Sequence, residues 1–135
     1  MITAAVRVFW RGDELVNDIK RAAAEGIFDA ALIVREQIQV NISVVGPPHS
    51  LPGEAPHRIS GELQDSVKIR GNRNKLEAYV IVEAPYALAL EFGYAPRNLA
   101  PRPFIVRSFN EVKPQCQAAV VRAIRLGMGN TMFAD

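Results

Sequence analysis

The first third of the chain carries its longest periodic pattern of apolar and polar positions. From residue 13 to about residue 44, apolar residues recur at steps of three and four, the spacing of one face of an α-helix. The positions on this face are Leu15, Ile19, Ala23, Ile27, Ala30, Val34, Ile38 and Ile42. Four further apolar residues lie off this face, namely Phe28, Leu32, Ile33 and Val40. The pattern predicts a long N-terminal helix whose surplus apolar surface contacts a second partner, such as another subunit.

Alternation with a period of two predicts strands in the middle of the chain. Residues 67–70 and 76–83 alternate in this way, and turn-forming residues at 71–74 separate them, which favours an antiparallel hairpin. The apolar, partly β-branched residues 1–10 predict one more short strand, a candidate to join the hairpin. A single turn of helix at 60–66, which Ser60 is suited to cap, precedes the hairpin.

The remaining helical patterns follow the hairpin. Residues 86–92 predict a short helix that ends at Gly93, because glycine commonly terminates helices. A C-terminal helix is predicted to begin at Pro103, and Pro114 within it should kink or split it because proline lacks an N–H. Its apolar positions are Phe109, Val112, Cys116, Ala119, Val120, Ala123 and Ile124. Residues 127–135 contain two glycines and no periodicity, which predicts a C-terminal tail.

A proline-rich segment joins the first helix to the rest of the chain. Four prolines within residues 46–58 exclude a helix or a central strand, because each proline lacks an N–H and restricts the residue before it. Loops of this length are commonly functional. We therefore expect an extended proline-rich loop at 46–58 that serves as an interaction arm.

Length and element order together predict the fold class. The chain has 135 residues, which fits one domain. We expect residues 1–135 to form a single α+β domain. Its small antiparallel β-sheet, built around residues 65–83, should be packed on one face by the long N-terminal helix and the C-terminal helix.

Residues that commonly carry catalysis or bind metal are few. Both histidines, His49 and His57, lie in the proline-rich loop, where the sequence fixes no geometry for a catalytic base. Cys116 lies on the apolar face of the C-terminal helix, which is typical of a buried thiol. A zinc site built from these residues would still need several carboxylates. The sequence therefore predicts no enzyme, no cofactor and no metal.

Net charge does not identify a partner, but one cluster of basic residues stands out. Sixteen Lys and Arg against fourteen Asp and Glu give a net charge of +2. Lys68, Arg70, Arg73 and Lys75 surround the hairpin turn and are candidates to face DNA, although a solvated turn carries such charges just as readily. A small nucleic-acid-binding module is therefore the alternative function. The sequence shows no signal-peptide or membrane-span pattern, which favours synthesis in the cytoplasm and no membrane partner.

Three short segments occur in a recognisable order around the hairpin. They fit the patterns [ST]-G-x-L-x-x-S-[IV], Y-A-x-x-x-E-F-G and R-P-F. The matching residues are Ser60, Gly61, Leu63, Ser66 and Val67, then Tyr86, Ala87, Glu91, Phe92 and Gly93, and finally Arg102, Pro103 and Phe104. In this order, after an amphipathic helix and a proline-rich stretch, residues 13 to 126 resemble the gene-product-ten-like family of neck and tail-completion proteins of long-tailed bacteriophages.

The resemblance implies a structural protein of the virion. Such a protein assembles in the host cytoplasm and forms a homo-oligomeric ring that joins the head connector to the tail. A hexamer is favoured, and a dodecamer is the alternative. Other neck and tail proteins would be its partners, and DNA would pass transiently through the central channel.

The chemistry of the matching residues adds expectations about their places. Leu63 should enter the core, and Tyr86 and Phe92 should anchor the short helix beneath the sheet. Glu91 lies next to an apolar anchor and needs a hydrogen-bond donor, for which Arg102 is the candidate.

Overall fold

The computed structural model describes Ala4 and residues 12–46, 50–56 and 61–132. In chain order its elements are α1 (Gly12–Asn41), α2 (Glu62–Asp65), β1 (Val67–Asn72), β2 (Glu77–Val82), α3 (Ala87–Phe92), a 3₁₀ turn (Ala95–Arg97) and α4 (Ile105–Met132). β1 and β2 form a two-stranded antiparallel sheet. The predicted α+β class is confirmed, with a long N-terminal helix and a C-terminal helix packed with the hairpin. The strand predicted at residues 1–10 lies outside the described residues, apart from Ala4.

The two long helices run antiparallel and approach each other closely. A Cβ atom added to Gly26 would lie 2.9 Å from the Cβ of Ala123 and 2.9 Å from the Cα of Val120. Four residues further along α1, the carbonyl oxygen of Ala30 accepts a hydrogen bond from the thiol of Cys116 at 3.5 Å. Gly26 costs helix propensity, but the absence of a side chain is what lets the helix backbones approach here.

One buried cluster joins α1, β1, α3 and α4. Its members are Val34, Ile38, Ile42, Val67, Ala84, Ala87, Phe104, Val112 and Cys116. The C-terminal half of the predicted α1 stripe is therefore confirmed as core. In the N-terminal half the predicted Leu15, Ile19 and Ile27 are only half-buried, because small residues such as Ala23 and Ala24 fill the close contact with α4.

The hairpin covers part of the surplus apolar surface of α1. Its register pairs Val67 with Val82 and Gly71 with Ala78. A Cβ atom on Gly71 would lie 2.8 Å from the ring of Phe28. Phe28 thus packs against its own hairpin rather than a second subunit, whereas Leu32 and Val40 on the same helix remain exposed.

The hairpin turn comes later in the chain than the sequence predicts. β1 continues to Asn72, so residues 71 and 72 belong to the strand and the turn spans residues 73–76. The side-chain oxygen of Asn72 accepts hydrogen bonds from the backbone N–H groups of Asn74 (2.9 Å) and Lys75 (3.2 Å). This Asx-type arrangement starts the turn at Asn72.

Helix α4 differs from the prediction at three points. It begins at Ile105 rather than Pro103 and runs unbroken past Pro114. Pro114 and Asn110 are both exposed, so water can bond to the Asn110 carbonyl that the proline leaves without a donor. The predicted tail at 127–135 is wrong for residues 127–132, which are helical, because Gly127 packs closely against Ala22 of α1. Residues 133–135 lie outside the described part. No helix in the described ranges has the length and apolarity needed to cross a membrane.

Candidate interaction surface

The three segments that carry the resemblance meet at one place. Val67, Ala87 and Phe104 come from different segments and belong to the same buried cluster, with Leu63 packed against it. The predicted burial of Leu63 is therefore confirmed in part, since this side chain is half-buried. We call this meeting point the motif junction. Ser60, the first residue of the first segment, lies outside the described residues.

The backbone of the junction depends on two glycines and a serine. Gly61 has a φ of +85° immediately before α2, a conformation that L side chains rarely adopt. Gly93 has a φ of +81° and a ψ of 168°, and a Cβ atom there would lie 2.9 Å from the carbonyl oxygen of Leu99. The Ser66 hydroxyl donates to the carbonyl oxygen of Leu63 at 2.7 Å, which closes α2. These motif residues act on the shape of the chain.

Glu91 caps helix α4 from a neighbouring helix. Its buried carboxylate accepts hydrogen bonds from three consecutive backbone N–H groups: Phe104 at 2.8 Å and Ile105 at 3.0 Å to Oε2, and Val106 at 3.1 Å to Oε1. First-turn N–H groups have no partner within their own helix, and a negative charge complements the helix N-terminus. Glu91 therefore fixes the position of α3 on the start of α4.

The predicted ion pair between Glu91 and Arg102 is wrong. Arg102 donates from Nε to the carbonyl oxygen of Ser50 at 3.1 Å and from Nη1 to that of Ala100 at 3.4 Å. Backbone N–H groups occupy the Glu91 carboxylate, because the chain enters α4 directly above it. The role of Arg102 is to hold the described part of the proline-rich loop.

That loop is attached to its own chain wherever the structure describes it. Arg107 donates to the carbonyl oxygen of Gly53 at 2.6 Å, and the Gly53 N–H donates to the carbonyl oxygen of Pro101 at 2.9 Å. Ala55 packs against the core cluster. Residues 50–56 are therefore docked on the start of α4, whereas the expectation of a free arm falls partly on residues 47–49 and 57–58, outside the described residues. His49 and His57 lie there as well.

Tyr86 and Phe92 do not anchor α3 beneath the sheet as predicted. Tyr86 is 41% exposed and Phe92 is 69% exposed. The short helix has one buried face, and Ala87 and Glu91, one turn apart, occupy it. Partial burial, followed by the nearby charge of Glu62 and a hydrogen bond to its carboxylate, raises the pKa of Tyr86 above its ordinary value.

The outward side of the junction is an exposed apolar patch. Leu88 (70% exposed), Phe92 and Val106 (55% exposed) line a shallow depression of about 250 Å³, whose lining also includes Ala87 and Glu91. We call Leu88, Phe92 and Val106 the α3 patch. Sequence reasoning missed Leu88 and Val106, although Leu88 and Phe92 are four residues apart and so share one helix face.

The basic residues of the hairpin are divided between paired and exposed positions. Arg70 forms an ion pair with Glu83 at 2.5 Å. Arg73 pairs with Glu25 and lies over the ring of Phe28, 4.5 Å from its centroid. Lys68 and Lys75 are exposed. Two of the four residues predicted to face DNA thus have partners within the chain, and DNA contact by this turn stays a prediction.

No cluster of metal ligands occurs in the part of the chain that the structure describes: no three His, Cys, Asp or Glu side chains there are grouped to hold an ion. The described carboxylate with the most hydrogen-bond donors at this junction, Glu91, is occupied by backbone N–H groups. The arrangement is therefore suited to fixing helices and presenting an apolar surface. Comparison of the chain with protein-family models, curated proteins and solved structures found no match.

Proposed function

We propose that this chain is a structural virion protein of the neck or tail-completion region of a tailed bacteriophage. Its copies form a ring that joins the head connector to the tail and leaves a channel for DNA. The proposal rests on the ordered resemblance of three segments. It is supported by one structural observation: the three segments form a single junction that holds an apolar patch at the surface.

The chemistry of the junction supports a role in assembly. Glu91 spends its hydrogen-bonding capacity on α4, and Gly93 permits a backbone conformation that other residues rarely adopt. Both residues stabilise the short helix α3, which then presents Leu88 and Phe92 to solvent. Rigid presentation of large apolar side chains lowers the entropy that is lost when a partner binds.

A ring requires two different contact surfaces on each subunit, because the same contact repeats from one copy to the next until the rotation closes. Sixfold symmetry is the proposal, with twelvefold symmetry as the alternative. Surfaces that are left over above and below the ring would contact other neck and tail proteins. The ring would assemble in the host cytoplasm and remain in the virion.

An amber mutation in the gene for this chain tests the proposed role. In a host without a suppressor, we expect DNA-filled heads and finished tails to accumulate separately, as seen by electron microscopy. A suppressor host should restore joined particles, which controls for effects on neighbouring genes. Normal yields of joined, infectious particles without the chain would refute the proposal.

A further inference from the structure

We propose that the α3 patch binds a second copy of this chain, at a surface on the C-terminal half of that copy's α4. This inference rests on the proposed function and names the two surfaces that the ring would use. The receiving surface consists of Val121, Arg122, Arg125 and Leu126, which we call the distal patch. Its apolar side chains are exposed, Val121 by 47% and Leu126 by 67%.

The distal patch is apolar and positively charged. It lines a broad depression of about 690 Å³ together with Ile33 and Ala118, and none of the lining residues is acidic. Among the described residues, no carboxylate forms an ion pair with Arg122 or Arg125. Apolar side chains flanked by arginines are enriched at protein interfaces.

The α3 patch has the opposite charge and a fitting size. The only charged residue that lines its depression is Glu91, whose Oε1 accepts a single printed hydrogen bond and can accept another. A depression of about 250 Å³ is smaller than the roughly 300 to 1,000 Å³ of drug-sized ligand sites. It suits one or two aliphatic side chains, such as Leu126, with an arginine beside them.

The area of the patch also fits one protein contact. Leu88, Phe92 and Val106 together expose on the order of 300 Å² of apolar surface, the size of the largest patch on a typical monomer. A standard interface buries about 800 Å² on each partner, of which a little over half is apolar. The α3 patch thus supplies most of the apolar part of one such interface and too little for two.

The two patches are separate surfaces of the same molecule. Val106 and Leu126 lie about 20 residues apart on α4, which corresponds to about 30 Å along the helix axis. Binding of one patch to the other is therefore head-to-tail, and each added copy leaves one free patch of each kind until a ring closes. A contact of the α3 patch with itself would instead stop at a twofold dimer.

Two exposed substitutions distinguish these arrangements, Phe92→Ser in the α3 patch and Leu126→Ser in the distal patch. Sedimentation velocity over a concentration series should show that the unmodified chain forms species larger than a dimer. Each variant alone should be monomeric, with association weakened by at least about tenfold, as expected for an interface anchor. An equimolar mixture should form dimers and stop there, because only one intact patch of each kind remains in the pair.

Val16→Ser provides the matched control, because Val16 is an exposed apolar residue outside both patches. It should assemble like the unmodified chain, and circular dichroism should show that all three variants are folded. The proposal is overturned if the unmodified chain stays monomeric, if Leu126→Ser still dimerises, or if the mixture remains monomeric. The amber experiment is separate, so a chain that joins heads to tails while its variants assemble normally would keep the neck role and lose this contact.

Discussion

Replacing Glu91 with alanine should lower the free energy of unfolding by about 3 to 5 kcal/mol. The substitution removes the acceptor of three backbone N–H groups and leaves a small cavity between α3 and α4. The N–H of Phe104 is buried, and an unsatisfied buried donor costs about 1 to 3 kcal/mol. The N–H groups of Ile105 and Val106 are only partly buried, so water can reach them and each adds about 1 kcal/mol.

Glu91→Gln separates the charge from the hydrogen bonds. A glutamine oxygen in the place of Oε2 keeps the bonds from Phe104 and Ile105, whereas its NH₂ group faces the N–H of Val106 and cannot accept from it. Loss of that bond and of the charge at the helix N-terminus should cost about 1 to 2 kcal/mol. We therefore expect the order unmodified, glutamine, alanine in decreasing stability.

Urea denaturation followed by circular dichroism measures these differences. With a denaturant slope of about 2 kcal/mol/M, Glu91→Ala should lower the urea midpoint by about 1.5 to 2.5 M. Glu83→Ala is the matched control, since this carboxylate is exposed and its pair with Arg70 is worth at most about 1 kcal/mol. Equal shifts for Glu91→Ala and Glu83→Ala would refute the capping role.

Other substitutions probe the backbone and the helix contact. Gly93→Ala should cost about 2 to 4 kcal/mol in thermal unfolding because positive φ and a clash with Leu99 combine, whereas Gly53→Ala should cost only about 1 kcal/mol because its added Cβ meets nothing within 4 Å; equal losses would contradict the clash. Gly26→Ala should destabilise by about 1 to 3 kcal/mol despite alanine's higher helix propensity, and Gly129→Ala, with open space around it, should be neutral or slightly stabilising. Burial raises the pKa of Cys116, so a thiol reagent near pH 8 should react far more slowly with the native protein than with urea-unfolded protein. The same shift stabilises the fold at pH values below the ordinary thiol pKa, and this contribution is lost as the pH rises through the raised pKa. A native rate equal to the unfolded rate would show that Cys116 is accessible.

The parts of the fold that depend on periodicity were predictable. Residues 67–83 alternate because one face of the hairpin packs on α1, and α1 repeats every three or four residues because its stripe faces the core. Gly26 and Gly127 were misjudged for a physical reason. Helix propensity is a local property, whereas the value of each glycine comes from a helix that is distant in sequence and packs directly against it.

The candidate surface was only partly predictable. The pattern around Glu91 indicated a need for donors, but those donors are backbone N–H groups, which every non-proline residue carries and no sequence motif displays. Phe92 was expected inside because apolar residues favour the core, yet apolar residues also make up much of protein surfaces. Which side of α3 faces inward was decided by Glu91, whose carboxylate must reach α4.

The most direct measurement of the central claim is an electron cryomicroscopy reconstruction of the neck of the phage that encodes this chain. We predict a ring of this fold around a central channel, with Leu88 and Phe92 of each copy buried against a neighbouring copy's α4. A neck that contains no copy of this chain would contradict the proposed function. A ring in which Leu88 and Phe92 face solvent would retain the function and refute the proposed contact.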